Sequence, residues 1–213
     1  MALDLAERVA PAHTALVVSE CQRGVMGDLS QLPALAEACR GGVTARIARL
    51  VEAARQAGVQ VVHATAERRL DARGANANAR IFQYMARTPL KLHAGSEASE
   101  IVPEIRVAPE DLVLSRLHGL SPFHGTGLDF VLRNLGVRTI VATGVSVNVA
   151  IQNLCFDAVN ASYQVVVPRD AVAGFPPEYA EMVFAHTLGA VATLVTSADL
   201  LGAWKPAGSR DLS

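Results

Sequence analysis

Six short apolar runs, at residues 14–19, 59–64, 111–115, 138–143, 163–167 and 191–195, constrain this chain more than any other feature. Val, Ile and Leu follow one another in them with little of the alternation that a strand with one wet face requires. Each therefore reads as a short strand buried on both faces. Between the runs, apolar residues recur at helical spacing. Val43, Ile47, Leu50, Val51 and Ala54 predict a helix over 38–57 that stops at Gly58. Leu128, Val131, Leu132 and Leu135 predict a second, ended by Gly136, with Thr126 as N-cap and Asp129 close to a capping box. Val147, Ile151, Leu154, Ala158 and Ala161 give a third, and Pro176 and Pro177 open a fourth where proline costs a helix least.

Strands and helices in alternation predict an α/β fold. Each parallel neighbour needs a crossover, and right-handed crossovers put helices on both faces of the sheet. The expected architecture is a three-layer sandwich around a six-stranded, mostly parallel, doubly wound sheet. With the switch in direction between strands one and four, the ends of strand one (Glu20), strand three (Arg116) and strand four (Ala150) surround one crevice at the carboxyl edge. Residues 67–99 lose periodicity, and a loop of that length in a compact domain belongs to a functional site or an interface.

Composition narrows the function classes. A chain of 213 residues fits one domain spanning 1–213, with 205–213 reading as a flexible tail. Its 51% hydrophobic and 18% charged residues suit strands covered on both faces or surface used in subunit contacts. A net charge of -1 gives no electrostatic footprint for nucleic acid. No run approaches the roughly 20 apolar residues that span a bilayer, and the start of the chain lacks the basic residues and apolar stretch of a secretory signal. Cys21, Cys39 and Cys155 have no paired short spacing, so neither a disulfide framework nor a zinc knuckle is expected. The expectation is a cytoplasmic protein with a small-molecule partner.

Four stretches carry a resemblance to a known family. They are 15–22 (Ala-Leu-Val-Val-Ser-Glu-Cys-Gln), Gly95 with Glu100-Ile101-Val102-Pro103-Glu104, 121–128 (Ser-Pro-Phe-His-Gly-Thr-Gly-Leu), and Gly144-Val145-Ser146. In this order they resemble the isochorismatase-like, or cysteine hydrolase, family over roughly residues 14–201. The resemblance implies a six-stranded parallel sheet between helices, homodimers or homotetramers, and hydrolysis of small amides or of a vinyl ether. The family's usual chemistry uses an aspartate after strand one, a lysine after strand three and a cysteine in the first turn of the helix after strand four. A lysine and a helix N-terminus lower the thiol pKa while the carboxylate moves a proton.

All three positions differ here. Glu20 stands at the aspartate and Ala150 at the nucleophile, six residues after Gly144. Arg116 is the basic residue nearest the lysine position, but one extra residue before Ser121 leaves Leu117 and His118 as alternatives. The resemblance also places a non-proline cis peptide at Val145-Ser146, with Asn148 and Val149 offering an amide or N–H groups to a ligand. Glu20, Arg116 and His118 are thus the candidate catalytic groups. Gln22, Phe123, His124, Val145, Ser146, Asn148, Val149 and Ala150 are the candidate substrate contacts.

No cofactor is expected, and no metal, since His63, Asp71 and His93 do not reproduce the Asp-His pattern of the family's metal-binding members. Cys155 lies more than a helical turn beyond Ala150, and alternation along an extended segment turns Cys21 away from Glu20 and Gln22. Three functions follow: a hydrolase using Glu20 as general acid/base without a covalent thiol; a silent member that binds a small molecule or acts as an oligomeric scaffold; and a thiol hydrolase using Cys21.

Overall fold

β1 sits at the centre of the sheet, buried at every position, with the apolar run Ala15-Leu16-Val17-Val18 between Thr14 and Ser19. The computed structural model describes residues 4–205. Its elements are α1 (Leu5–Arg8), β1 (Thr14–Ser19), α2 (Pro33–Arg40), α3 (Val43–Ala57), β2 (Gln60–Ala66), α4 (Arg80–Arg87), β3 (Leu112–Arg116), α5 (Leu128–Asn134), β4 (Thr139–Val145), α6 (Ala150–Asn160), β5 (Gln164–Pro168), β6 (Val172–Ala173), α7 (Pro177–Val183), α8 (Gly189–Val191), β7 (Thr193–Val195) and α9 (Ser197–Ala203). The strand order is β3-β2-β1-β4-β5-β7, and every ladder is parallel. The order reverses between β1 and β4, as the apolar runs predict, and opens a crevice at their carboxyl ends.

Alternate residues of the strands feed two cores. Leu16, Val18, Val61 and Val141 pack with Ile47, Leu50 and Val51 of α3 and Leu200 of α9 on one face. Ala15, Val17, Val62, Ile140 and Ala142 pack with Leu128 and Leu132 of α5 and Ile151 and Leu154 of α6 on the other. Full burial of each Leu or Ile side chain contributes about 1.5–3 kcal/mol, which is why runs of this composition specify the sheet. No helix among the described residues is long and apolar enough to cross a membrane.

Four local expectations are corrected. The sheet has seven strands rather than six. The added strand, Val172–Ala173, pairs with Gly144 and Val145 beyond the point where the β4–β5 ladder ends at Val141, and two residues are too few to show a pattern. The helix predicted over 38–57 is two, α2 and α3, broken where Gly42 adopts φ +102°, a conformation that L residues with side chains disfavour. Residues 67–99 contain α4, a two-turn helix with no fully buried residue. Thr126 is not the N-cap of α5; Gly127 is, while the Thr126 hydroxyl accepts the Leu128 N–H at 3.2 Å and Asp129 accepts from the Tyr163 hydroxyl at 2.9 Å. The tail expected at 205–213 lies, after Lys205, outside the described residues.

Candidate active site

The site begins where β1 ends. Glu20 leaves the strand at φ +52°, its N–H donating to the Ala64 carbonyl at 2.9 Å and its carbonyl accepting from Gln22 N–H at 2.8 Å. This tight turn replaces the extended segment expected from alternation. It sends Glu20 towards the crevice and packs Cys21, 2% exposed, into the core. Gln22 is fully buried. Its Nε2 donates to the carbonyls of Ala66 and Ser99, each at 2.9 Å, and its Oε1 accepts the Ala66 N–H at 2.9 Å. Gln22 therefore ties the exit of β1 to the end of β2 and has no polar group left for a ligand.

The second wall comes from β3. Arg116 is its last residue, in register with Ala66 of β2. Its side chain is 6% exposed, and its Nη2 donates to Glu20 Oε1 in an ion pair. Nε and Nη1 have no partner among the described residues. A guanidinium offers donors and no acceptor, so two buried, unspent nitrogens are an uncommon and costly arrangement unless a ligand oxygen meets them.

The third wall is the junction of β4 and α6. Gly144 passes so close to β1 that a Cβ would lie 2.2 Å from the Ser19 carbonyl oxygen, and it adopts φ +105°, so only glycine fits. The Val145-Ser146 peptide that follows is cis. The Ser146 carbonyl accepts the N–H groups of Val149 and Ile151, both at 3.1 Å, and α6 starts at Ala150. The Val149 N–H is therefore spent inside the turn. Asn148 is spent too: its amide donates to the Phe175 carbonyl at 2.6 Å and accepts the Phe175 N–H at 3.0 Å.

Glu20, Arg116, Ser146, Val149 and Ala150 line one cleft of about 160 Å³, and Ile81, Phe82 and Met85 of α4 form its cover. The remaining candidates stand elsewhere. Val145 is fully buried in the core. Phe123 is 7% exposed and packs edge-on to Tyr163, with ring centroids 5.9 Å apart. His124 is exposed and borders a shallow groove with Ser121 and Asp157. His118 is exposed, its Nε2 3.2 Å from the Gly125 carbonyl oxygen, and it borders the groove and a second chamber behind Arg116 rather than the Glu20 cleft.

No cysteine lines the cleft. Burial, then the neighbouring Cys39 and Glu20, push the Cys21 thiol far up, and burial pushes Cys39 and Cys155 to about 12. None of the three is a ready thiolate. Among the described residues, no group of three or more His, Cys, Asp and Glu side chains converges as metal ligands would. The cover residues were missed in the sequence reading, although Ile81, Phe82 and Met85 at i, i+1 and i+4 carry a short helical stripe.

A doubly wound parallel sheet with a carboxylate, a guanidinium and a helix start meeting at its switch point is an α/β protein with a small-molecule cleft at its strand ends. More narrowly, the chain belongs to the isochorismatase family: the isochorismatase domain profile matches residues 14–199. It is 28% identical over 187 residues to the ureidoacrylate amidohydrolase RutB of Pseudomonas syringae pv. syringae (strain B728a), covering 82% of this chain and 76% of that one. Among solved structures, it is similar to an isochorismatase family protein from Desulfovibrio vulgaris subsp. vulgaris str. Hildenborough, with TM-score 0.76, 26% identity and coverage of 88% and 95% of the two chains. It is also similar to N-carbamoylsarcosine amidase from Thermoplasma acidophilum, with TM-score 0.68, 26% identity and coverage of 87% and 96%.

Proposed function

We propose that the protein is a hydrolase of a small amide-like carbonyl compound that works without a covalent thiol intermediate. The observation that carries this reading is the convergence of Glu20, Arg116 and Ala150 on one cleft. The ureidoacrylate amidohydrolase and the N-carbamoylsarcosine amidase that it is similar to favour an amide over the vinyl ether and ester alternatives. The methyl of Ala150 leaves at the start of α6 the room that a larger nucleophile would fill, so water takes that role.

Glu20 accepts a proton from this water as its oxygen bonds to the substrate carbonyl carbon, and the carbonyl electron pair moves onto oxygen. Arg116, through its unspent Nε or Nη1, donates to the resulting oxyanion. When the C–N bond breaks, the departing nitrogen takes the proton from Glu20. The products are a carboxylic acid and an amine, and both side chains return to their starting states.

A panel of simple amides, N-carbamoyl compounds, esters and a vinyl ether, run on wild type and Glu20→Gln, tests the proposal. Wild type should cleave at least one amide, and the exchange should lower kcat by about 10²–10⁴-fold. Intact mass after acid quench should show no acyl adduct. An adduct, or turnover that survives Glu20→Gln and disappears in Cys21→Ala, would establish thiol chemistry instead. Absence of turnover across the panel would favour the second reading, a ligand-binding member of the family. The Ala150 methyl at the position where the family's chemistry requires a nucleophile is the observation on its side.

A further inference from the structure

Arg116 lines two cavities. One is the cleft it shares with Glu20; the other is an adjoining chamber of about 140 Å³ that shares Phe82, Met85 and Leu92 with the cleft and adds Leu90 and Leu117 to its wall. A cavity of about 150 Å³ with walls of this kind holds one benzene ring. Five of the fourteen lining residues are titratable: Glu67, Arg68, Lys91, Arg116 and the exposed His118. Lys91 reaches its wall, but its ammonium is committed to the main-chain carbonyls of Met85, Ala86 and Thr88 at the end of α4. Glu67 and Arg68, of opposite sign, are only partly buried, which leaves Arg116 as the one fully buried charge in the lining.

The chamber is a mostly apolar, ring-sized space with Arg116, whose buried Nε and Nη1 have no partner among the described residues, in its lining. We propose that it is a specificity pocket. The substrate is then a small carbonyl or carboxylate compound bearing an uncharged ring or branched alkyl group of about benzene size. That group enters the chamber, and an attached oxygen is held by Arg116 Nε or Nη1. This deepens, and rests on, the reading of the Glu20 cleft as a hydrolase site. Phe82 adds specificity, because an aromatic ring in the chamber can meet its face or edge, whereas a chain of small polar atoms leaves the apolar wall wet. Exchanging Arg116 for lysine would not preserve this arrangement, since an ammonium cannot bond Glu20 and a second oxygen in the same plane.

Calorimetric titration of the full-length protein with benzoate and with acetate tests the pocket independently of turnover. Both probes present a carboxylate, and only benzoate presents a ring. Benzoate should bind at least about tenfold more tightly, the gain from burying a ring-sized apolar surface. Ala75→Phe, which fills the chamber from a partly exposed loop position, should reduce benzoate binding to the level of acetate. Leu117→Trp should do the same from an exposed position and serves if the first variant unfolds. Arg116→Met should weaken benzoate by about tenfold or more.

Benzoate no tighter than acetate, benzoate binding unchanged in both filled variants, or no binding of either acid overturns the pocket. Loss of the hydrolase reading looks different: no amide is turned over, yet ring-dependent binding persists.

Discussion

Two guanidinium–carboxylate pairs bracket β3, and they are built in opposite ways. Before its first residue, Asp111 is 1% exposed and saturated. Its Oδ1 accepts from Arg55 Nε at 3.1 Å, and its Oδ2 from Arg55 Nη2 at 2.5 Å, the Ala108 N–H at 3.0 Å and, on the other side, His63 Nε2 at 3.0 Å. At its last residue, Arg116 meets Glu20 through one nitrogen and keeps two without a partner among the described residues. Burial works against the Asp111 carboxylate, but Arg55, Ala108 and His63 outweigh it and hold the carboxyl below its ordinary range. A network closed this completely serves the fold; its one loose end is His63 Nδ1. A pair left open beside two cavities is poised for something that arrives from outside.

The sharpest way to break this contrast is to cut each pair from its acidic side. Asp111→Ala takes from His63 its Nε2 partner and from Arg55 its buried carboxylate, leaving Arg55 the Arg106 carbonyl and Glu52 at 3.7 Å, and removing one member of a buried pair costs about 3–5 kcal/mol. Urea denaturation should show that loss with an unchanged m-value. A cost below about 1 kcal/mol would mean that the network is dispensable and the contrast empty.

Glu20→Gln should cost less, about 1–2 kcal/mol, even though it also removes an ion-pair partner. The glutamine amide oxygen can still accept from Arg116 Nη2, so the guanidinium keeps a partner at that position. The same variant should lose catalysis, which separates folding from function at this pair. If its unfolding cost equals that of Asp111→Ala, the Glu20 pair is structural and the proposed chemistry loses its base.

The two pairs were not equally legible. The β1 and β4 runs, the switch between them and the convergence of Glu20, Arg116 and Ala150 could be read because continuous apolar strands fix direction and order, and strand ends follow from order. The lining could not be read in the same way. Gln22, Asn148 and the Val149 N–H are polar groups near the cleft whose bonds are spent on the protein itself, and only three-dimensional accounting shows it. Phe123 and His124 lie side by side, yet one is buried in the core and the other faces solvent, because Ser121 Oγ accepts both N–H groups at 3.0 Å and turns the chain there. Nor is β3 the strand buried on both faces that its run predicts: as an edge strand it leaves Val113 48% exposed. The Arg55–Asp111–His63 network was invisible for a simpler reason, since its members are 56 and 48 positions apart.

The smallest test uses pH. His63 lies within β2 at 1% exposure, and burial pushes its imidazole below its ordinary range; Asp111 pulls the other way without prevailing, and Arg55 adds to the depression. Because the folded protein holds this proton less tightly than the unfolded chain does, the stability contributed by neutral His63 is fully present above about pH 6.5. It is lost progressively as pH falls below that value towards the folded pKa. Asp111 behaves differently at the acid end. Its depressed carboxyl contributes stability above the ordinary carboxylate range and loses it only as pH falls through its own lower value, so it is silent between about pH 7.5 and 5. In that window the wild type should lose stability on acidification with a slope below about 1.4 kcal/mol per pH unit, the ceiling for one titrating group. His63→Gln, which can still donate to Asp111, should flatten the slope. A slope that persists undiminished in His63→Gln would mean that the closed network does not titrate in this window.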